Sequence, residues 1–302
     1  MNPILVTGAA GHIGGVGRTT VELLRQRDLP VRAMVRREDA RADALRAMGA
    51  EVVVGDLTDA ADVARAMDGC DRVYFGMSVS APYLEATVIA AAVARERGGL
   101  EVFVNMSQMT VSQMTLTNMT GSPQHRQHLL AELVLNWSGL PVVHVRPTVF
   151  LENPFFMDWA AESIARDATI RLPFGTGRTS PVAGRDVAAV IATILAHPTP
   201  HTGKVYELTG PKSEDMNAVA AEYSSALGKT ISYIDVPFEQ WRDELRKRNL
   251  PDHVFHHLQT MAQLHAANRY DRITHDVEMI TGRPATTVHD FVAHYANRFA
   301  SR

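Results

Sequence analysis

Val6-Thr7-Gly8-Ala9-Ala10-Gly11-His12-Ile13-Gly14 is the stretch whose reading decides the fold. Ile4-Leu5-Val6, just before and into it, is a short apolar run with β-branched ends, the pattern of a parallel strand buried on both faces. Thr19-Thr20-Val21-Glu22-Leu23-Leu24, just after it, reads as an amphipathic helix. Strand, glycine turn and helix in that order let a pyrophosphate sit on a helix N-terminus, where backbone N–H groups lack intrahelical partners. Side chains at the glycines would block that approach. The stretch therefore predicts Thr7, Gly8, Gly11, His12, Ile13 and Gly14 as contacts of a dinucleotide.

The second strand, Val31-Arg32-Ala33-Met34-Val35, ends at Arg36-Arg37, where the fingerprint expects its ribose contact. A free ribose 2′-hydroxyl asks for a carboxylate there, and a 2′-phosphate asks for arginine. Arg36 and Arg37 thus predict NADPH/NADP+ rather than the unphosphorylated cofactor. The alternative is a solvated pair neutralised by Glu38-Asp39. The third strand, Glu51-Val52-Val53-Val54, leads into Gly55-Asp56-Leu57-Thr58-Asp59. Asp56, with Leu57 beside it, is the candidate for the adenine amino group. Thr58 or Asp59 capping the helix from Ala60 to Met67, with Asp56 supporting the turn, is a reading that can hold alongside it.

Further strands are predicted at Arg72–Phe75, Glu101–Met106, Leu140–Pro147 and Lys204–Leu208, with helices between them. That alternation predicts an α/β fold with a doubly wound parallel sheet, whose ligands bind beyond the carboxyl ends of the strands. Gly76-Met77, Met106-Ser107 and Pro147-Thr148 should then face the middle and nicotinamide half of the cofactor. After strand five, Ser107-Gln-Met-Thr, Ser112-Gln-Met-Thr and Thr117-Asn-Met-Thr repeat every five residues, a period of neither helix nor strand. They read as a long loop whose methionines either form an adaptable apolar surface over the site or have no role. Phe150, Phe155, Phe156, Met157 and Trp159 suit either a flat apolar pocket or a core helix. The last third is mostly helical, with β signals only at Thr230–Val236. His253, His256, His257 and His265 bracket no carboxylate at metal spacing, so they are expected on solvated surface and no metal is expected.

With 302 residues, 46% of them hydrophobic, the chain can bury one large core or two small ones. A net charge of −3 supplies no basic field for nucleic acid or an anionic membrane. Cys70 is the single cysteine, which excludes an internal disulfide and suits a reducing compartment. The sequence enters its first strand without a charged and apolar leader, and no run is long enough to span a membrane; a cytoplasmic protein is expected.

The glycine stretch, Gly55-Asp56-Leu57, Ser138-Gly139-Leu140-Pro141, Val145-Arg146-Pro147 and Phe150-Leu151-Glu152-Asn153 resemble landmarks of the NmrA-like family. So do Arg185-Asp186-Val187-Ala188, Tyr206-Glu207-Leu208-Thr209-Gly210-Pro211 and Thr281-Gly282-Arg283-Pro284. These are atypical members of the short-chain dehydrogenase/reductase superfamily. The resemblance implies a Rossmann domain over residues 1–148, completed by 184–208, and a smaller, mostly helical substrate domain of residues 149–183 and 209–302. It admits a homodimer.

Two departures matter. Gly15-Val16-Gly17 lengthens the glycine loop before Arg18. The superfamily's usual Tyr-x-x-x-Lys pair, counted back from Ser138-Gly139-Leu140-Pro141, falls on Gln124 and His128. Glutamine does not deliver a proton as a phenol does. His128 and Ser107 are therefore the catalytic candidates, the imidazole donating to ribose hydroxyls or relaying a proton near neutral pH, with His125 one turn earlier to share the task. The expected activity is NADPH-dependent hydride transfer to a flat electron-poor acceptor, such as a quinone or azo compound, which needs geometry more than an acid. The alternative is a redox sensor that binds NADP(H) without turnover.

Overall fold

Short β-branched runs, each closed by glycine or by an aspartate that caps the next helix, set the rhythm of the N-terminal half. In the computed structural model, which describes residues 1–11 and 14–300, they give β1 (Ile4–Thr7), α1 (Val16–Arg25), β2 (Val31–Val35), α2 (Ala40–Ala47), β3 (Glu51–Val54) and α3 (Ala60–Met67). There follow β4 (Arg72–Phe75), α4 (Tyr83–Arg97), β5 (Val102–Met106), α5 (Pro123–Trp137) and β6 (Val142–Pro147). Asp39, Asp59 and Ser122 cap α2, α3 and α5 through their side chains, and Pro123 takes the first position of α5, where no N–H is needed. Of the two capping candidates for α3, Asp59 does the work.

The second half runs α6 (Asp158–Asp167), β7 (Thr169–Leu172), β8 (Arg178–Thr179), α7 (Gly184–Ala196), β9 (Val205–Leu208), β10 (Glu214–Asp215), α8 (Met216–Leu227), β11 (Ser232–Asp235), α9 (Phe238–Arg246) and α10 (Asp252–Ala266). Three short helices, α11 (Asp276–Thr281), α12 (Val288–His294) and α13 (Ala296–Phe299), complete it.

The main sheet has seven parallel strands in the order β3-β2-β1-β4-β5-β6-β9, the doubly wound order expected from the sequence. Val21 and Leu24 of α1 and Val187 and Ile191 of α7 cover one face; Val63 and Met67 of α3, Ala90 of α4 and Leu135 of α5 cover the other. The direction of winding reverses between β1 and β4, so the crevice for a ligand opens at their carboxyl ends.

A second core forms from Phe155, Phe156, Ile164, Leu172, Phe174, Tyr223, Trp241, Phe291 and Phe299. It settles the aromatic segment as core, because Phe155 and Phe156 are fully buried; only Phe150 leans toward the first core. The methionine repeat does not form an exposed apolar surface either. A 3₁₀ turn over Met109–Gln113 buries Met109 in the second core and Met114 in a small cluster with Val111 and Leu129. β7, β8 and β10 were not predicted: β7 pairs in parallel with β11, and β8 with β10, so each depends on a partner distant in sequence. His265 is not at the solvated surface. It is fully buried, stacked between Phe174 and Tyr270 with ring centroids 4.0 Å away on each side.

Candidate functional site

The glycine turn is built by close approach. Thr7 Oγ1 donates to Gly76 O and accepts from Gly76 N, both at 2.9 Å, which ties the ends of β1 and β4 together. Gly8 takes a left-handed φ of +68°, and a Cβ there would lie 2.4 Å from Gly76 O, so only glycine fits. Gly11 N closes the turn on Gly8 O at 3.0 Å. His12 and Ile13 lie outside the described residues.

The added loop residues are absorbed by left-handed backbone at Gly14 and Gly15, and α1 begins at Val16. The close helix-to-strand packing that the fingerprint's third glycine normally provides therefore falls to Gly17, whose Cβ would stand 2.7 Å from Gly8 O. Gly17 was not among the predicted contacts; its place is visible only once the helix start is known. Among the described residues, α1 has no side-chain cap and no acidic residue in its first turn, so its leading N–H groups remain available to an anion. The turn thus suits a pyrophosphate.

At the end of β2, Arg36 Nε stands 3.5 Å from Asp56 Oδ2, while Arg37 is exposed and forms no ion pair among the described residues. Glu38 and Asp39 do not neutralise them: Glu38 pairs with Arg46, and Asp39 with Arg41. Arg41, which the sequence reading missed, donates from Nη1 to Ala10 O at 3.1 Å and so places a third guanidinium against the glycine turn. Asp56 Oδ1 accepts from the backbone N and the hydroxyl of Thr58 at 2.9 and 2.8 Å, bonds that hold its carboxyl below the usual range. Leu57 and Met77 are half-buried against the core that α3 and α4 cover.

Beyond β5 and β6 the chemistry is less acidic than expected. Ser107 Oγ donates to Glu132 Oε1 at 2.5 Å, and Glu132 is clasped by Arg146 at 2.9 Å (Nε) and 2.5 Å (Nη2). Burial opposes the charge on Glu132, yet the Arg146 bonds keep its pKa below the ordinary value. The Ser107 proton is therefore committed to a carboxylate, which leaves the oxygen as an acceptor toward anything on its other side.

His128 is buried, with Nδ1 3.3 Å from Tyr83 Oη and the two rings edge to face. Desolvation, only partly opposed by Glu132, brings its pKa down to about 4. Burial thus disfavours the imidazolium at neutral pH, so the ring faces its neighbours as a neutral donor and acceptor. His125 does not share a task with it, since its Nδ1 meets Thr120 Oγ1 at 3.0 Å and its ring packs edge-on against His257 of α10. Gln124 Nε2 donates to Val79 O at 3.2 Å, tying α5 to the loop after β4.

Tyr83, unnoticed in the sequence, also reaches Met106 O at 3.3 Å, close to the predicted nicotinamide end. Pro147 is buried at the end of β6, and the hydroxyl of Thr148 beyond it, like Gln108 Nε2 beyond β5, is buried with no hydrogen-bond partner among the described residues.

Glu152 entered the sequence reading only within the Phe150-Leu151-Glu152-Asn153 landmark. Its Oε1 and Oε2 both accept from Gly184 N, at 3.1 and 3.0 Å, and burial pushes its pKa up to about 7.

Residues 8–198 match the NAD(P)H-binding family. A NAD(P)H azoreductase of Xenophilus azovorans is 27% identical over 298 residues, 99% of each chain. A (4-alkanoyl-5-oxo-2,5-dihydrofuran-3-yl)methyl phosphate reductase of Streptomyces griseus subsp. griseus is 30% identical over 297 residues, 98% of this chain and 99% of its own. In fold, the chain is similar to an NADPH-dependent quinone oxidoreductase of Escherichia coli solved with NADPH, with a TM-score of 0.84, 23% identity and coverage of 97% of this chain and 100% of that one.

Proposed function

Because the chain belongs to the NAD(P)H-binding family, with the NmrA-like, atypical short-chain dehydrogenase/reductase fold, we propose that it is an NADPH-dependent reductase whose acceptor is flat and electron-poor, such as a quinone or azo compound. The names of its relatives, an azoreductase and a reductase of a dihydrofuranylmethyl phosphate among them, support a reductase. The observation that carries the acceptor class is the missing acid. Gln124 stands at the usual phenol position, burial disfavours a charged His128, and the Ser107 hydroxyl donates its hydrogen bond to the Glu132 carboxylate. A carbonyl reductase needs a proton delivered as the alkoxide forms, whereas a strongly electrophilic acceptor takes hydride first and collects its proton from water.

In this reading Gly8, Gly11, Gly14 and the uncapped start of α1 hold the pyrophosphate, with His12 and Ile13 of the same turn. Arg36, Arg37 and Arg41 take the 2′-phosphate, and Asp56 with Leu57 borders the adenine. Thr7 fixes Gly76, beside which Met77 lines the middle of the cofactor, and Met106 and Pro147 flank the nicotinamide. The bound cofactor supplies the hydride; the protein positions it and keeps water out. Residues 1–148 with 184–208 serve as the dinucleotide half, and residues 149–183 with 209–302 close on the acceptor.

The test is NADPH oxidation, followed by its near-ultraviolet absorbance, against quinones, azo dyes, enones and aldehydes. Turnover is expected with quinones or azo dyes and not with aldehydes. Silence toward every acceptor, with NADPH still tightly bound, would replace the enzyme by a redox sensor.

A further inference from the structure

Glu152 shares a cleft with the glycine turn. The cleft is lined by Gly14 and Gly15, by Arg18, Thr19 and Glu22 on the first turns of α1, and by Tyr295. Glu152 is connected to the turn through packed backbone: its carboxylate binds Gly184 N, and Gly184 presses so closely on Gly14 that a Cβ would lie 2.2 Å from Gly14 O. Both oxygens accept from Gly184 N, the backbone N–H of Glu152 itself also favours the charge, and no cation lies within ion-pair distance of them among the described residues. The groups facing the carboxyl leave it short of positive charge. α1 offers Arg18 but also Glu22; α7 offers Asp186, held by Thr286 N at 2.7 Å and by its hydroxyl at 3.1 Å; the C-terminal segment offers the Tyr295 phenol.

We propose that Glu152 couples cofactor binding to a proton: seating the pyrophosphate at the glycine turn is accompanied by uptake of one proton at the Glu152 carboxyl. The proposal rests on the reading of the glycine turn as the pyrophosphate site. A carboxylate and a pyrophosphate in one cleft repel, and the low polarity around a mostly buried carboxyl magnifies that repulsion. Protonation removes it and turns an acceptor-only group into a donor while the Gly184 bond persists. Desolvation, with Asp186 adding to it and the Gly184 N–H opposing, already sets the free carboxyl at about 7, so it is part-ionised at neutral pH and the uptake is measurable there.

Isothermal titration of the full chain with NADP+ in buffers of different ionisation heat counts the protons taken up. Glu152→Gln, which keeps the shape and an oxygen for Gly184 N, is titrated alongside; the 2′-phosphate titrates equally in both proteins and cancels in the difference. The wild type should take up about half a proton more than the variant at pH 7 and almost none more at pH 5.5. Its Kd should rise roughly tenfold more than the variant's between pH 7 and 8.5. Equal proton counts and parallel Kd profiles, with NADP+ still binding, would overturn the coupling alone. The wild-type count at pH 7 and 8 decides the same point without the variant: the 2′-phosphate is almost fully ionised there, so a proton count that does not grow toward pH 8 excludes the coupling. Absence of any NADP+ binding to the wild type would overturn the cofactor site itself, and the coupling with it.

Discussion

Arg37 and Arg36 differ in what they are free to do. Arg36 is drawn toward Asp56 at 3.5 Å, whereas Arg37 has no ion pair among the described residues. Replacing both by alanine should weaken NADPH by roughly 1.5–3 kcal/mol, about 10- to 150-fold, and leave NADH nearly unchanged, since only the former offers a phosphate to a guanidinium fork. Fluorescence titration of the two cofactors measures the difference. Equal losses would shift the phosphate to Arg41, which already touches the turn through Ala10 O. At this scale the sequence is a partial guide. Arginines at a strand end follow from the fingerprint's spacing, but Arg41 arrives by way of the α2 cap, and nothing in its spacing says that Asp39 steers it back to the glycine turn. The charge state of His128 was equally hidden, because burial by Tyr83 and the surrounding helices decides it and sequence spacing does not.

Among the elements, α1 carries the sharpest consequence of the lengthened loop. Gly17→Ala places a Cβ 2.7 Å from the Gly8 carbonyl, a backbone atom that cannot step aside. It should lower stability by about 1–3 kcal/mol, the range of overpacking, and weaken NADPH by displacing the helix from its turn. Gly15→Ala meets nothing nearer than Thr19 Oγ1 at 3.9 Å, so its cost is only the left-handed backbone, roughly 1–2 kcal/mol. Urea unfolding and NADPH titration of both variants compare them, and normal binding by Gly17→Ala would show that the close packing does not set the turn. Elements with their own local signals were legible: the β-branched strands of the main sheet, and the helices announced by Asp39, Asp59 and Ser122-Pro123. β8 and β10, two residues each, were not, because only pairing with each other defines them. The aromatic run from Phe150 to Trp159 was ambiguous for a related reason: a lined pocket and a filled core ask for the same side chains, and only Phe174, Trp241 and His265 packing around Phe155 decide for the core.

At the scale of the molecule, buried neutral histidines sit where its parts meet. His125 and His128 lie buried on α5, half-buried His257 faces them from α10 with Nδ1 2.9 Å from Ser122 Oγ, His144 is buried on β6 between Asn105 and Asn136, and His265 is stacked inside the second core. Desolvation comes first among the causes for all five; it lowers His144, and carries His125 well below 6.5, His128 down to about 4, and His257 and His265 down to about 3. Each ring therefore binds its proton more weakly folded than unfolded. Their contribution to stability is complete above about pH 6.5 and is lost as pH falls toward 4 and then 3. Each costs up to ~1.4 kcal/mol per pH unit in that window. Glu152 acts in the opposite sense: its raised pKa favours the folded state as pH falls from about 7 toward its unfolded value, offsetting one histidine of the five, and Asp186 and Asp276, also raised by burial, act the same way at lower pH. Because the lowered histidines outnumber the raised carboxyls, stability should fall as pH drops from 6.5 to 5, by up to ~1.4 kcal/mol per pH unit for each histidine left unoffset. Urea unfolding of the cofactor-free protein at half-unit steps from pH 7.5 to 5 measures it, and His257→Gln, which cannot titrate, should make the slope shallower by up to ~1.4 kcal/mol per pH unit. A flat profile over this range would mean that water reaches the imidazoles between α5 and α10 and that the seam carries no proton-linked strain.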